Sequence, residues 1–154
     1  VSRIARALLW IIATICVAFI AFAIWVRLAP DDAADWREDP AAITASGALN
    51  EYVVRPEADG ADAVSPVYDE PPESLIARFR DMALAEPRVG LLDESGGILT
   101  LVQRSMLMGF PDYISVRAVS VDGGAALYIH SRSRYGKSDW GVNEARISAW
   151  LGNL

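Results

Sequence analysis

Ala7 to Val26 form an unbroken run of 20 residues without a charge. Wound as a helix rising ~1.5 Å per residue, such a run covers a bilayer core of about 30 Å. Arg3 and Arg6 precede it, and Trp10 and Trp25 lie near its ends, where indole rings favour the membrane–water interface. The sequence therefore predicts a single-pass membrane anchor over residues 1–27. The rival is a cleaved signal peptide with Ala21-Phe22-Ala23 as its processing site, but Ile24-Trp25-Val26 prolong the apolar run past it. Cys16 lies inside the run behind Thr14-Ile15, unlike the approach to a lipoprotein cysteine, and a lone cysteine forms no intramolecular disulfide. Arg3 and Arg6 on one side outweigh Arg27 on the other, which predicts a cytoplasmic N-terminus. In a bacterium this places the anchor in the inner membrane and the rest of the chain on its periplasmic side.

Charge divides the remainder of the chain. Residues 28–73 hold twelve acids against two bases, whereas residues 74–154 hold eight against nine. The formal net charge of −6 thus belongs to the first of these regions. Residues 28–64, interrupted by Pro30, Pro40 and Pro56, read as an extended acidic, proline-rich tether. Its short apolar islands, Trp36, Ala41 to Ile43 and Tyr52 to Val54, are candidate docking points on a partner. Nucleic acid is excluded as a partner, since no basic patch is interleaved with stacking aromatics.

Residues 65–154 carry the periodicity of a folded domain. Val64 to Tyr68 suits a short edge strand. Pro71-Pro72 opens a helix whose Leu75, Ile76, Phe79, Met82 and Ala83 share one face, and Pro87 closes it. Four strands come next, over Val89–Leu92, Ile98–Ser105, Tyr113–Val121 and Ala125–Ser131. Turn signals at Asp93 to Gly97 and Asp122-Gly123-Gly124 divide them. Ile147, Trp150, Leu151 and Leu154 mark a terminal amphipathic helix. The fold class is α+β: after the transmembrane helix, an antiparallel sheet of four to five strands with two helices packed on one face.

Between the last strand and that helix lies the most polar stretch of the chain. Ser131, Ser133, Arg134, Gly136, Asp139, Gly141, Asn143 and Arg146 bring hydroxyls, cations, an acid and two glycines together, with Arg104 expected nearby on a neighbouring strand. At a helix N-terminus these residues either hold an anion or pair among themselves, Arg134 or Arg146 with Asp139. The spacing Ser-x-Ser-Arg-x-Gly-x-x-Asp-x-Gly-x-Asn-x-x-Arg, read from Ser131 to Arg146, resembles the signature of domain-of-unknown-function family 1499. Val102-Gln103-Arg104-Ser105 and Phe110-Pro111-Asp112 extend the likeness upstream. The resemblance implies one domain from about residue 65 to 154 and brings no activity with it.

Catalytic groupings are not in view. His130 is the sole histidine, no carboxylates stand at metal-ligand spacing, and no nucleophile elbow or phosphate loop occurs. No cofactor or metal is expected, and the chain is read as a non-enzyme. Met106, Leu107, Met108 and Phe110 form an apolar loop where polar turn residues belong, which suits a bilayer surface or a partner's groove. These features favour an accessory subunit of a larger membrane complex, respiratory or photosynthetic, with a structural or assembly role. The alternative is a periplasmic module that binds a lipid or amphiphile, with Arg104, Arg134 and Arg146 receiving an anionic head.

Overall fold

A computed structural model describes residues 2–154. Helix α1 spans Arg3–Leu28, capped at its start by the Ser2 hydroxyl. Among the described residues it is the one helix long and apolar enough to cross a membrane, and of its side chains only Ala23 and Val26 are buried. A four-residue helix α2 (Ala33–Trp36) and a 3-10 turn at Pro40–Ala42 come after it, started by the side chains of Asp32 and Asp39.

Six strands then build one sheet: β1 (Glu51–Arg55), β2 (Ala63–Val64), β3 (Val89–Ser95), β4 (Ile98–Arg104), β5 (Pro111–Val121) and β6 (Gly124–Ser133). Their spatial order is β2-β1-β6-β5-β4-β3, antiparallel throughout except for the β1/β2 pair. Gly96-Gly97 and Asp122-Gly123 form the two tight hairpin turns. Helix α3 (Pro72–Ala85) precedes β3, and α4 (Val142–Gly152) ends the fold. The α+β architecture expected from the sequence is present, with six strands rather than four to five.

Both α3 and α4 cover the same face of the sheet. Leu75, Phe79 and Ala83 of α3 and Ile147 and Trp150 of α4 meet Val54, Leu99, Leu101, Ile114, Val116, Leu127 and Ile129 in one core. Phe79 and Trp150 pack edge to face with ring centroids 5.8 Å apart. Alternation along each strand sends Val53, Thr100, Tyr113, Ser115, Arg117, Tyr128, His130 and Arg132 to the opposite face.

That second face corrects the expectation of an extended tether over 28–64. Residues 29–46 lie across it as a strap, and β1 is an internal strand, hydrogen-bonded to β6 through residues Glu51 to Val54. Val53 and Val54 are fully buried. The physical reason is charge. Asp31 pairs with Arg104 and Arg134, Glu38 with Arg132 and His130, and Asp39 with Arg117. Trp36, an expected partner contact, instead stacks on Tyr113 within its own chain, ring centroids 3.8 Å apart and planes 12° from parallel. The expected edge strand at Val64–Tyr68 shrinks to β2 and a single bridge between Tyr68 and Ala125.

Candidate functional site

On the helix face, the ends of β4, β5 and β6 and the first turn of α4 enclose a polar cluster. Cross-strand register sets Gln103 opposite Asp112 and Asp112 opposite Ser133, with Ser131 two residues earlier on β6. Arg146 reaches into this group from α4. Its Nη1 donates to Ser131 Oγ (3.1 Å) and Asn143 Oδ1 (2.8 Å), its Nη2 to Asp112 Oδ2 (2.5 Å), and its Nε to Gln103. Ser131 Oγ donates to Asn143 Oδ1 at 2.6 Å. The Asn143 amide nitrogen donates to Asp139, to Ser133 Oγ and to the Asn50 carbonyl. Asp139, two residues before the N-cap Gly141, accepts the backbone N–H groups of Gly141 (2.9 Å) and Asn143 (2.8 Å) and so satisfies donors at the start of the helix. Gly136 and Gly141 both take positive φ, 90° and 79°, which bend the chain back to start α4.

Ser131 and Asn143 are fully buried and Arg146 is only 9 % exposed. Every polar group of Asn143 is used, and Arg146 is neutralised by Asp112 rather than by Asp139. Buried groups so completely paired hold a structure together and offer no free donor to an anion. Of the predicted residues, Ser131, Ser133, Asp139, Asn143 and Arg146 come together here, framed by the two glycines.

Arg134 and Arg104 do not join them. Arg134 lies with Arg132 on the strap face, where its Nη1 donates to the Pro30 carbonyl (3.0 Å) and to the Tyr113 hydroxyl (3.3 Å). Arg104 pairs with Asp31 and donates from Nη1 to the Gly109 carbonyl (2.9 Å). Tyr113 Oη donates to Asp31 Oδ1 at 2.6 Å, and burial, reinforced by that carboxylate, raises its pKa well above the ordinary tyrosine range. The strap face therefore has its own network, with His130 set between Glu38 and Glu51. Burial opposes the charged form of Glu51, yet the Ser46 hydroxyl and N–H, and then His130, lower its pKa below the ordinary carboxylate value. Asp31, Glu38, Asp39 and Glu51 lay in the supposed tether, and sequence reasoning passed over them. The signal that could have found them is the set of arginines on one face, Arg104 of β4, Arg117 of β5 and Arg132 of β6 with Arg134 two residues on, which demands matching acids.

The end of α1 is joined to the same corner of the molecule. Arg27 donates to the carbonyls of Met106 (3.3 Å), Leu107 (2.8 Å) and Met108 (3.1 Å). Phe22 meets Phe110 at 6.2 Å and Trp25 meets Tyr135 at 6.5 Å between ring centroids. Gly109, at φ 77°, permits the approach, since a Cβ there would lie 2.6 Å from Arg27 Cγ. Met106 and Leu107 remain 76 % and 69 % exposed.

Next to this joint a surface cleft of about 420 Å³ opens between Phe110, Tyr135, Trp140 and Val142, with Asp112 and Ser133 among its polar lining. It lies outside the core, where buried side chains of α3 and α4 pack against the sheet. Among the described residues no group of three or more His, Cys, Asp or Glu side chains could hold a metal ion.

No curated protein and no solved structure matches the chain. The model of the family described as "Protein of unknown function (DUF1499)" matches residues 33–154, taking in the strap as well as the sheet and helices. The match begins at α2, some thirty residues before the start expected from the motif alone, in keeping with the strap's place in the fold. The chain therefore belongs to the DUF1499 family.

Proposed function

We propose that this chain is a single-pass membrane protein without enzymatic activity, an accessory subunit that presents its DUF1499 domain to a larger membrane complex. The observation that carries the reading is the joint between anchor and domain. Arg27 on three loop carbonyls, with Phe22 on Phe110 and Trp25 on Tyr135, fixes the domain's attitude on α1 instead of leaving it on a slack linker. A fixed attitude suits an adaptor that must meet a neighbour in one geometry. The lipid-facing side of α1, with Leu9, Ile12 and Phe19 exposed, is open to neighbouring helices. The polar cluster supports a structural role: the Ser131 hydroxyl is held by Asn143 and Arg146, and His130 faces the other side of the sheet.

The arginine balance favours a cytoplasmic N-terminus with the domain across the inner membrane, in the periplasm. Protease added to intact spheroplasts then removes the domain, and protection there with loss in inverted vesicles reverses the topology. Purification in mild detergent through a C-terminal tag, followed by mass spectrometry, tests the subunit reading. Stoichiometric co-recovery of the same membrane proteins is expected, and a monomer recovered alone refutes it.

The cleft beside Phe110 and Trp140 favours a second reading, a module that binds an amphiphile in the cleft instead of in the core. The three arginines expected to receive its head each already face a carboxylate, Arg104 and Arg134 at Asp31 and Arg146 at Asp112. Native mass spectrometry that finds no copurifying lipid ends this alternative.

A further inference from the structure

We infer that the Met106–Phe110 loop is a wedge seated in the lipid at the end of the anchor, with Arg27 as the strut that sets its depth. The inference rests on α1 spanning a bilayer, as proposed above. The first argument is position. Phe22 stands four residues before Val26, the end of the charge-free run, hence about 6 Å inside it at helical rise. Phe110 is 6.2 Å from Phe22, ring centre to ring centre. Even if that whole separation ran along the helix axis, Phe110 would stand no higher than the last apolar turn. Helical side chains lean toward the N-terminus, which carries the Phe22 ring, and so Phe110, deeper still.

A second argument is independent of position. Irregular backbone is costly at the edge of an apolar medium, and satisfying its carbonyls lowers that cost. All five carbonyls of the loop accept hydrogen bonds: Met106, Leu107 and Met108 from Arg27, Gly109 from Arg104 Nη1 (2.9 Å), and Phe110 from the Ser105 N–H (2.9 Å). A water-facing loop has no need of two guanidinium groups for this purpose. The third is chemistry. The side chains so presented, Met106 and Leu107, are uncharged and exposed, with nothing among the described residues to cover them. Trp140, which lines the adjoining cleft, is 95 % exposed and held at φ 58°, an unusual conformation for a non-glycine residue and one that aims an interfacial side chain outward.

The test uses the full chain reconstituted in phosphatidylcholine–phosphatidylglycerol vesicles, with an environment-sensitive fluorophore on one cysteine at a time. Native Cys16, midway along the run, reports the anchor. Leu107→Cys and Asp122→Cys, each in a Cys16→Ser background, report the loop and the far hairpin. Lipids carry a nitroxide quencher either near the headgroup or deep in the acyl chain. Expected are strong quenching of Cys16 by the deep label and quenching of Leu107→Cys by the shallow label several-fold above that of Asp122→Cys. Quenching at Cys16 with Leu107→Cys no more quenched than Asp122→Cys overturns the wedge and leaves the anchor standing. Absence of quenching at Cys16 overturns both.

Discussion

The two faces of the sheet are closed by different forces. Against α3 and α4 the closure is apolar, with Leu75, Phe79, Ile147 and Trp150 buried on Leu99, Leu101, Ile114, Val116 and Leu127. Against the strap it is ionic and aromatic: Asp31, Glu38 and Asp39 on Arg104, Arg132, Arg134 and Arg117, pinned by Trp36 on Tyr113. Arg132 and Arg134 also lie over the Trp36 ring, at 5.5 and 5.6 Å from its centroid. Hydrophobic burial is indifferent to pH and strengthened by many salts, whereas partly exposed ion pairs weaken as salt screens them. The same sheet thus has one side that behaves as a core and another that behaves as an interface.

Mutations at the two faces sharpen this contrast. Phe79→Ala removes a fully buried ring from the helix face and is expected to cost about 3–5 kcal/mol, read by denaturant unfolding, with little dependence on salt. Asp112→Ala tests a charge pair buried on that same face. It leaves Arg146 without its carboxylate and should cost roughly 3 kcal/mol, because a lone buried charge is penalised far beyond the worth of the pair. Trp36→Ala should cost about 1–2 kcal/mol and act locally, raising proteolysis and amide exchange over residues 29–46 while α3 and α4 keep their protection. If exchange rises equally on both faces, the distinction between them fails.

Acid provides a finer probe. The Glu51 carboxyl has a folded pKa below its ordinary value of 4.5, so it binds protons more readily when the chain is unfolded. Its contribution is therefore complete above that value and is lost as pH falls through the lowered folded pKa. Glu51→Gln should flatten this part of the stability profile, and an unchanged acid limb would refute the assignment. The smallest effect belongs to Thr100, whose hydroxyl is buried under the strap opposite Ser115, neither having a hydrogen-bond partner among the described residues. Thr100→Val should be neutral or stabilising by up to about 1 kcal/mol, since it removes an unsatisfied polar group at constant shape.

The helix face was legible because its information is local. Pro71-Pro72, a stripe from Leu75 to Ala83 and Pro87 delimit α3 within a few turns, and Gly96-Gly97 marks its hairpin with equal clarity. The strap was hidden because its partners are remote. Asp31 meets Arg104 across 73 residues, Asp39 meets Arg117 across 78 and Glu38 meets Arg132 across 94. Viewed in a short window, these acids resemble a solvated coil. The division of the polar stretch had a local signal that went unused. Carrying the strand's two-residue period past Ser131 to Ser133 separates Ser131 and Ser133 from Arg132 and Arg134, and β6 does extend that far. Asp112 and Gln103 belonged to the motif likeness, and only the cross-strand register reveals that both converge on Arg146.

The pairing of β1 with β6 also sets a timetable. The strap and β1 leave the ribosome long before Arg132, so for most of synthesis the acids have no cations to meet and the sheet has no strand on which β1 can dock. Their mutual repulsion keeps that segment hydrated and extended, which guards an unpaired strand against association with other chains during the wait. Closure is then a late event that depends on contacts of high sequence separation, and such contacts form slowly. A chain interrupted before β6 would carry α1 and the strap without the surface that either side of the sheet requires, and quality control would meet it as an unfolded protein behind an apolar helix.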